Sequence, residues 1–231
     1  MKKIIYYFVS ALLLMAPLSC KKDDPAPVAL ASTPEAEAAN DSKSGGVYKG
    51  ALIGSSGIIK IVLQKGVKEM EITLDGVKKT LTTTGLGSWT SGDEISAVEF
   101  TSGDWKAVLS INTNGTTISL GFDIPGHAGL TGVIGKETST ALIKAFEGNY
   151  SGTESGTWNF VVQGDYLVGV SRSTDGLNNL TFYGGLVNNV ITIASPEASG
   201  TLVPGNPDKV SGVWQGSSPS DNGTWEGTRT M

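Results

Sequence analysis

Few side chains in this sequence are equipped for covalent or metal chemistry. Cysteine occurs once, as Cys20, and histidine once, as His127. A lone thiol forms no internal disulfide, and an exposed one in an exported chain would be reactive. A lone imidazole builds no histidine-rich metal site, and a Ser-His-Asp set would have to use that one residue. His127 stands in Gly126-His127-Ala128-Gly129 and reads as a turn residue between two strands. Asp93, Glu94 and Asp104 cluster around Trp105. Carboxylates that cleave glycosides are held roughly 5–10 Å apart by rigid elements, whereas these lie in Gly/Ser-rich loops and read as solvated turn acids. The chain has no Gly-x-Ser-x-Gly elbow, phosphate-binding loop or calcium-loop spacing. The expectation is a protein that is not an enzyme and carries no metal or other cofactor.

Aromatic residues are the remaining candidates. Trp105 and Trp158 sit inside runs of alternating polarity and read as core, since a buried indole is a large apolar group with one donor to satisfy. Trp89 differs. It lies in Gly85-Leu86-Gly87-Ser88-Trp89-Thr90-Ser91-Gly92, a segment without alternation. An exposed indole there would stack on a sugar ring or an apolar partner; the alternative is a loop tryptophan folded back over a barrel mouth. Trp89 is the candidate ligand-binding residue.

The elements that must position these residues are strands. Met70, Ile72 and Leu74 alternate with Glu71, Thr73 and Asp75; Trp105, Ala107, Leu109 and Ile111 alternate with Lys106, Val108, Ser110 and Asn112; Trp158, Phe160 and Val162 alternate with Asn159, Val161 and Gln163. Period two gives each run one buried face. Asp75-Gly76, Asn114-Gly115, Asp175-Gly176 and Asn222-Gly223 punctuate the runs and suit tight hairpins. The 31 glycines, together with abundant Ser, Thr and Asn in the second half, favour short strands and many turns. The fold class is all-β, antiparallel and mostly sequential.

Two halves echo one another. Gly46-Val47-Tyr48-Lys49-Gly50 recurs as Gly148-Asn149-Tyr150-Ser151-Gly152, and Ser56 to Gln64 as Ser155 to Gln163. Asp75-Gly76-Val77-Lys78-Lys79 recurs as Asp175-Gly176-Leu177-Asn178-Asn179. A nearly constant offset points to an internal duplication. We expect two tandem small up-and-down barrels or sandwiches of seven or eight strands each, over residues 47–137 and 146–231, with a short helix between them at Glu137 to Phe146. A single barrel of both halves would leave an interior too wide to fill. The second half loosely resembles the avidin and lipocalin barrels in Gly156-Thr157-Trp158 and in Arg229 on its last strand, which implies a shape and no ligand.

The N-terminus has its own logic. Lys2 and Lys3 precede an apolar run from Ile4 to Met15, too short to span a bilayer as a helix, and Ala16-Pro17-Leu18-Ser19 leads into Cys20. This pattern resembles the bacterial lipoprotein signal, which implies removal of residues 1–19 and a lipid on Cys20. Lys21-Lys22-Asp23-Asp24 resembles a surface-export signal of Gram-negative lipoproteins. That implies an outer-membrane anchor with the body at the cell surface, or alternatively on the periplasmic face. Pro25 to Gly46 lacks apolar periodicity, so residues 20–46 read as a disordered tether.

Lysine and arginine number 17 against 22 acids, a net charge of −5, and losing Lys2 and Lys3 makes the chain more acidic. It has no basic footprint for nucleic acid or anionic headgroups. Membrane association should come from the lipid. The expected role is a surface-displayed binding module for a glycan, a small apolar ligand or a protein partner; the alternative is a structural or adhesive envelope protein without a small ligand.

Overall fold

The computed structural model describes residues 30–53, 57–194 and 197–231. The expected signal segment, Cys20 and the lysine-aspartate run after it lie outside these residues, as do residues 54–56. Sixteen strands follow one another along the described chain. The first eight are β1 Gly46–Leu52, β2 Ile58–Leu63, β3 Glu69–Leu74, β4 Val77–Thr82, β5 Ile95–Ser102, β6 Trp105–Ile111, β7 Ile118–Asp123 and β8 Gly132–Glu137. The second eight are β9 Ile143–Gly152, β10 Gly156–Gln163, β11 Tyr166–Ser173, β12 Asn179–Val187, β13 Val190–Ala194, β14 Glu197–Val203, β15 Asn206–Gln215 and β16 Asn222–Arg229. The all-β, two-barrel expectation holds, with eight strands in each half.

Connectivity is up-and-down throughout. In the first half the strands run β7-β6-β5-β4-β3-β2-β1-β8, so β1 pairs with β8 while β7 and β8 remain an unpaired seam. In the second half the same order closes completely, because β9 pairs with β16 as well as with β10. Closure removes both sheet edges. The third hairpin is centred on Asp75-Gly76 in the first half and on Asp175-Gly176 in the second. Asp75 and Gly76, at φ 50° and 76°, fill the two left-handed positions that a two-residue hairpin turn demands.

Not every sequence echo is a structural one. Tyr48 lies opposite Ile61 and Lys136, whereas Tyr150 lies opposite Gly156 and Trp225. Phe146, opposite Phe160 and Arg229, occupies the place of Tyr48. Asn222-Gly223 is no turn either; both residues belong to β16, and the β15–β16 turn precedes them.

The expected helix at Glu137 to Phe146 does not form. Glu137 ends β8, Thr138 and Ala141 make an isolated bridge, and Ile143 opens β9. The one helical turn among the described residues is a 3-10 turn at Ala38–Asn40. Helix-forming residues are overridden because Ile143 and Ala145 turn outward into the contact between barrels while Phe146 turns into the second core. A strand apolar on both faces loses the alternation that would have marked it.

The barrels share an apolar contact. Ala51 and Ile58, with Val133, pack on Ile143, Ala145 and Val161, joined by Val168 and Met231. Asn159 Nδ2 donates to the Leu52 carbonyl at 2.6 Å, and Gln163 Nε2 to that of Lys136 at 2.8 Å. β1 is consequently buried along its whole length on both faces.

Residues 30–45, expected to belong to the tether, are packed instead. They compensate for their lack of apolar periodicity with polar contacts. The Glu35 and Ala36 amides donate to Glu137 Oε1, Ser44 Oγ donates to the Asp93 carbonyl, and both Asp41 oxygens accept from Ser139. At the centre is Lys49, on the outer face of β1 and wholly buried. Its ammonium lies 2.7 Å from Glu137 Oε2 and 2.8 Å from Glu35 Oε2. Glu137 is equally buried and also accepts the Ile143 amide at 3.0 Å. Burial pushes the Glu35 carboxyl upward, but the hydrogen bonds and charges of Lys49 and Lys60 outweigh it and hold the group below the usual range. One ion cluster thus ties the entering segment, the first barrel and the start of the second.

Replacing Lys49 with methionine should leave Glu137 buried without its countercharge and cost about 3 kcal/mol. Because the cluster touches both barrels, thermal melting followed by circular dichroism should show one cooperative transition moving down. Two separate transitions with only one displaced would contradict the coupling.

Candidate functional site

The two barrels differ in what fills them. Inward residues of the first include Tyr48, Leu52, Ile59, Ile61, Met70, Ile72, Leu81, Phe100, Trp105 and Leu109, all buried in one contiguous core. Large side chains at most inward positions fill an eight-stranded interior. In the second barrel many inward positions are glycine, and the space goes to a few rings.

Trp158 on β10 and Trp225 on β16 lie flat against the wall. A Cβ on Gly148 or Gly227 would sit 2.3 or 2.5 Å from the Trp158 ring, and one on Gly200 or Gly212 would sit 2.3 or 2.6 Å from the Trp225 ring. Gly148 faces Gly227 across β9 and β16, and Gly200 faces Gly212 across β14 and β15. Each indole therefore rests over a pair of glycines on neighbouring strands. The rings meet edge to face at 5.5 Å between centroids, and Trp158 stacks on Phe160 at 4.8 Å. Phe146, Val162, Leu167, Ile191 and Val210 fill the floor beneath them.

Above the rings is a cavity of about 330 Å³ that opens at the end carrying the β9–β10, β11–β12, β13–β14 and β15–β16 turns. Trp158, Trp225, Phe160, Phe182 and Ile193 form its depth, and Tyr150 and Trp214 stand at the mouth, edge to face at 5.9 Å. The three indole donors are spent on the wall: Trp158 Nε1 donates to the Asn149 carbonyl, Trp214 Nε1 to that of Ser151 and Trp225 Nε1 to that of Val213, each at 3.1 Å. The cavity thus presents ring faces, with Ser171, Asn178, Glu154 and Asp221 as its polar lining. Burial, together with the charges of Glu154 and Asp175, pushes the Tyr150 phenol above its ordinary range. Such a space is suited to holding an apolar group.

The residues singled out by type and spacing are scattered. Trp89 is partly buried against the first core, its Nε1 donates to the Asp93 carbonyl at 3.0 Å, and the Lys68 ammonium lies 5.8 Å from the ring centroid. It folds back over the end of the first barrel, remote from the second-barrel cavity. Asp93 accepts from the Thr90 amide and hydroxyl, which hold its carboxyl below the usual range. Asp104 pairs with Lys79 at 3.0 Å, and that ammonium stands over the Trp105 ring. His127 Nε2 is 3.6 Å from Asp75 Oδ2 in a neighbouring loop. Among the described residues no three potential ligands gather into a metal site. Arg229 bonds to Asp208, to the Met231 carbonyl and to the Ala31 carbonyl of the entering segment.

Trp158, read from its alternation as core, is core and cavity wall at once. Trp214 and Trp225 were missed. The available signal was glycine alternating with tryptophan on the inward side of the last strands, as in Gly212-Val213-Trp214 and Gly223-Thr224-Trp225-Glu226-Gly227.

Adding one methyl beneath an indole tests this wall. Gly200→Ala should destabilise the protein by about 1–3 kcal/mol and alter the near-ultraviolet tryptophan signal, because Trp225 cannot retreat without leaving its rotamer or entering the cavity. Gly121, on β7 with nothing near its Cβ position, serves as the control, and Gly121→Ala should leave both readouts unchanged.

No family model matches the chain, and a search of characterised proteins returns no significant match.

Proposed function

We propose that this chain is a non-catalytic binding module of the bacterial cell envelope, anchored by a lipid on Cys20, that holds a small apolar ligand in the second barrel. The observation that carries the reading is the cavity of about 330 Å³, walled by ring faces whose indole donors are already committed to the backbone. A sugar needs convergent hydrogen-bonding groups along its length, whereas the polar lining here is confined to Ser171, Asn178 and the rim acids Glu154 and Asp221, and most of the wall is aromatic or aliphatic. Among a glycan, a protein partner and an apolar molecule, the last fits best. At about 30 Å³ per water in the liquid, the space equals roughly eleven waters, enough for an aromatic ring with a short substituent.

The first barrel, filled and joined to the second through an apolar contact, acts as a scaffold. Its role is where the structural reading of the protein survives. Residues 30–45 lie across the first barrel and reach Arg229 at the floor of the second, the end opposite the mouth. A lipid on Cys20 would therefore deliver the chain to the end opposite the mouth, favouring a mouth turned to the medium. Display at the outer-membrane surface accords with Lys21-Lys22-Asp23-Asp24, with the periplasmic face as the alternative. No helix among the described residues is long and apolar enough to cross a membrane.

For the cavity, tryptophan fluorescence of the chain from residue 20 carrying Cys20→Ser, in detergent-free buffer, should show a saturable shift with small aromatic alcohols. Trp89→Phe should keep the shift and Trp225→Phe should diminish it; loss in the Trp89 variant would move the site to the first barrel.

For the anchor, Cys20→Ala should transfer the protein from the detergent phase to the aqueous phase in cells that process lipoproteins. An unchanged distribution would reject lipidation.

A further inference from the structure

Charge at the mouth is mainly negative, with Arg172, among the described residues, the one cation against a framing turn. Each of the four turns or hairpins that frame it carries an acid: Glu154 after β9, Asp175 after β11, Glu197 where β14 begins and Asp221 before β16. Residues 153–155, 174–178, 195–197 and 216–221 contain no lysine, arginine or histidine. Glu154 and Asp221 line the cavity itself, while Asp175 acts on the Tyr150 phenol from beside it. Asp221 accepts from the Thr153 hydroxyl, which fixes its carboxylate between two of the framing turns. Arg172 stands on the strand leading into the β11–β12 turn. It alternates with the cavity-lining Ser171, and its guanidinium lies against Gly176 on the outer side.

Three features of this end share one sign. The ring faces of Trp158, Trp225, Phe160 and Tyr150 carry the negative part of the aromatic quadrupole. The lining carboxylates add full negative charge above them. No indole donor remains to meet an anion, because all three cavity tryptophans donate to wall carbonyls. A carboxylate or phosphate ligand would enter against this field. The acids do not converge as a chelating set, since no group of three metal-ligating side chains forms among the described residues. A diffuse organic cation suits spaced carboxylates better than a metal ion does.

We propose that the second-barrel cavity selects an organic cation, an aromatic or compact aliphatic group bearing an ammonium, with the apolar part on the indoles and the charge at the Glu154 and Asp221 rim. This deepens the apolar-ligand reading and rests on it. The apolar body supplies burial, while the ammonium stays at the partly hydrated mouth, where a strongly solvated charge loses little of its water.

The test uses three probes of nearly one shape, phenethylammonium, phenethyl alcohol and phenylacetate, titrated by calorimetry into the Cys20→Ser chain. Phenethylammonium should bind about tenfold more tightly than the alcohol, with phenylacetate weakest, and added salt should narrow the gap. Glu154→Gln with Asp221→Asn should remove most of the cation's advantage over the alcohol. Glu154→Gln alone, on an exposed turn, should give a partial effect if the double variant folds poorly. Alcohol binding as tightly as the cation, or phenylacetate binding best, would overturn the charge preference and leave the apolar cavity standing. A cation preference undiminished by both substitutions would overturn the role of the rim. Failure of all three probes to bind would remove the cavity reading and this proposal with it.

Discussion

An eight-stranded barrel encloses a narrow cylinder, and how its inward residues fill that cylinder governs the rest of this protein. Strand number sets the radius, so the summed volume of the inward side chains decides whether the interior is solid or hollow. In the first half that volume comes from Tyr48, Met70, Phe100, Trp105 and a ring of isoleucines and leucines, and the interior closes. In the second, facing glycines let Trp158 and Trp225 lie along the wall, leaving a space above them. The same strand order thus yields one filled half and one hollow one.

The hollow barrel also depends on how the halves are joined. β1 and β10 each give one face to a barrel interior and much of the other to the contact between barrels. Lys49, Glu137 and Glu35 lie at the edge of that contact, and the buried pair is supported by backbone donors from both sides. Such a pair adds little net stability over apolar residues of the same volume. Its geometric demands nevertheless specify how the entering segment and the β8–β9 connection are seated. The start of β9, at the floor of the second barrel, is held by this region, and the framing turns at the other end are left free of it.

Much of the fold was legible in the residues. Runs such as Met70 to Leu74 and Trp105 to Ile111 became strands because one face of each is wet, and solvent exposure preserves a period of two. Asp75-Gly76 became a tight turn because its two left-handed positions select those residues. Legibility failed where burial was two-sided or where polarity was structural. Ile143 to Phe146 reads as helical because both faces are covered; Glu35 to Ser44 reads as a tether because hydrogen bonds, not apolar packing, seat it. Asn222-Gly223 reads as a turn, yet that glycine lies beneath Trp214, where a Cβ would come within 2.5 Å of the ring nitrogen.

The residue sequence alone determined the all-β class, the two-part organisation, the strand positions in the half-exposed regions, the acidic balance and the scarcity of catalytic side chains. Those properties are local or compositional: each follows from a few neighbouring residues or from a count. Tertiary structure alone decided that the second barrel closes, that its cavity lies at the end away from Arg229, and that Trp214 and Trp225 join Trp158 there while Trp89 does not. A cavity is the difference between a cylinder and the side chains that eight strands send into it. No single segment carries that difference, so it becomes visible only when β9 meets β16.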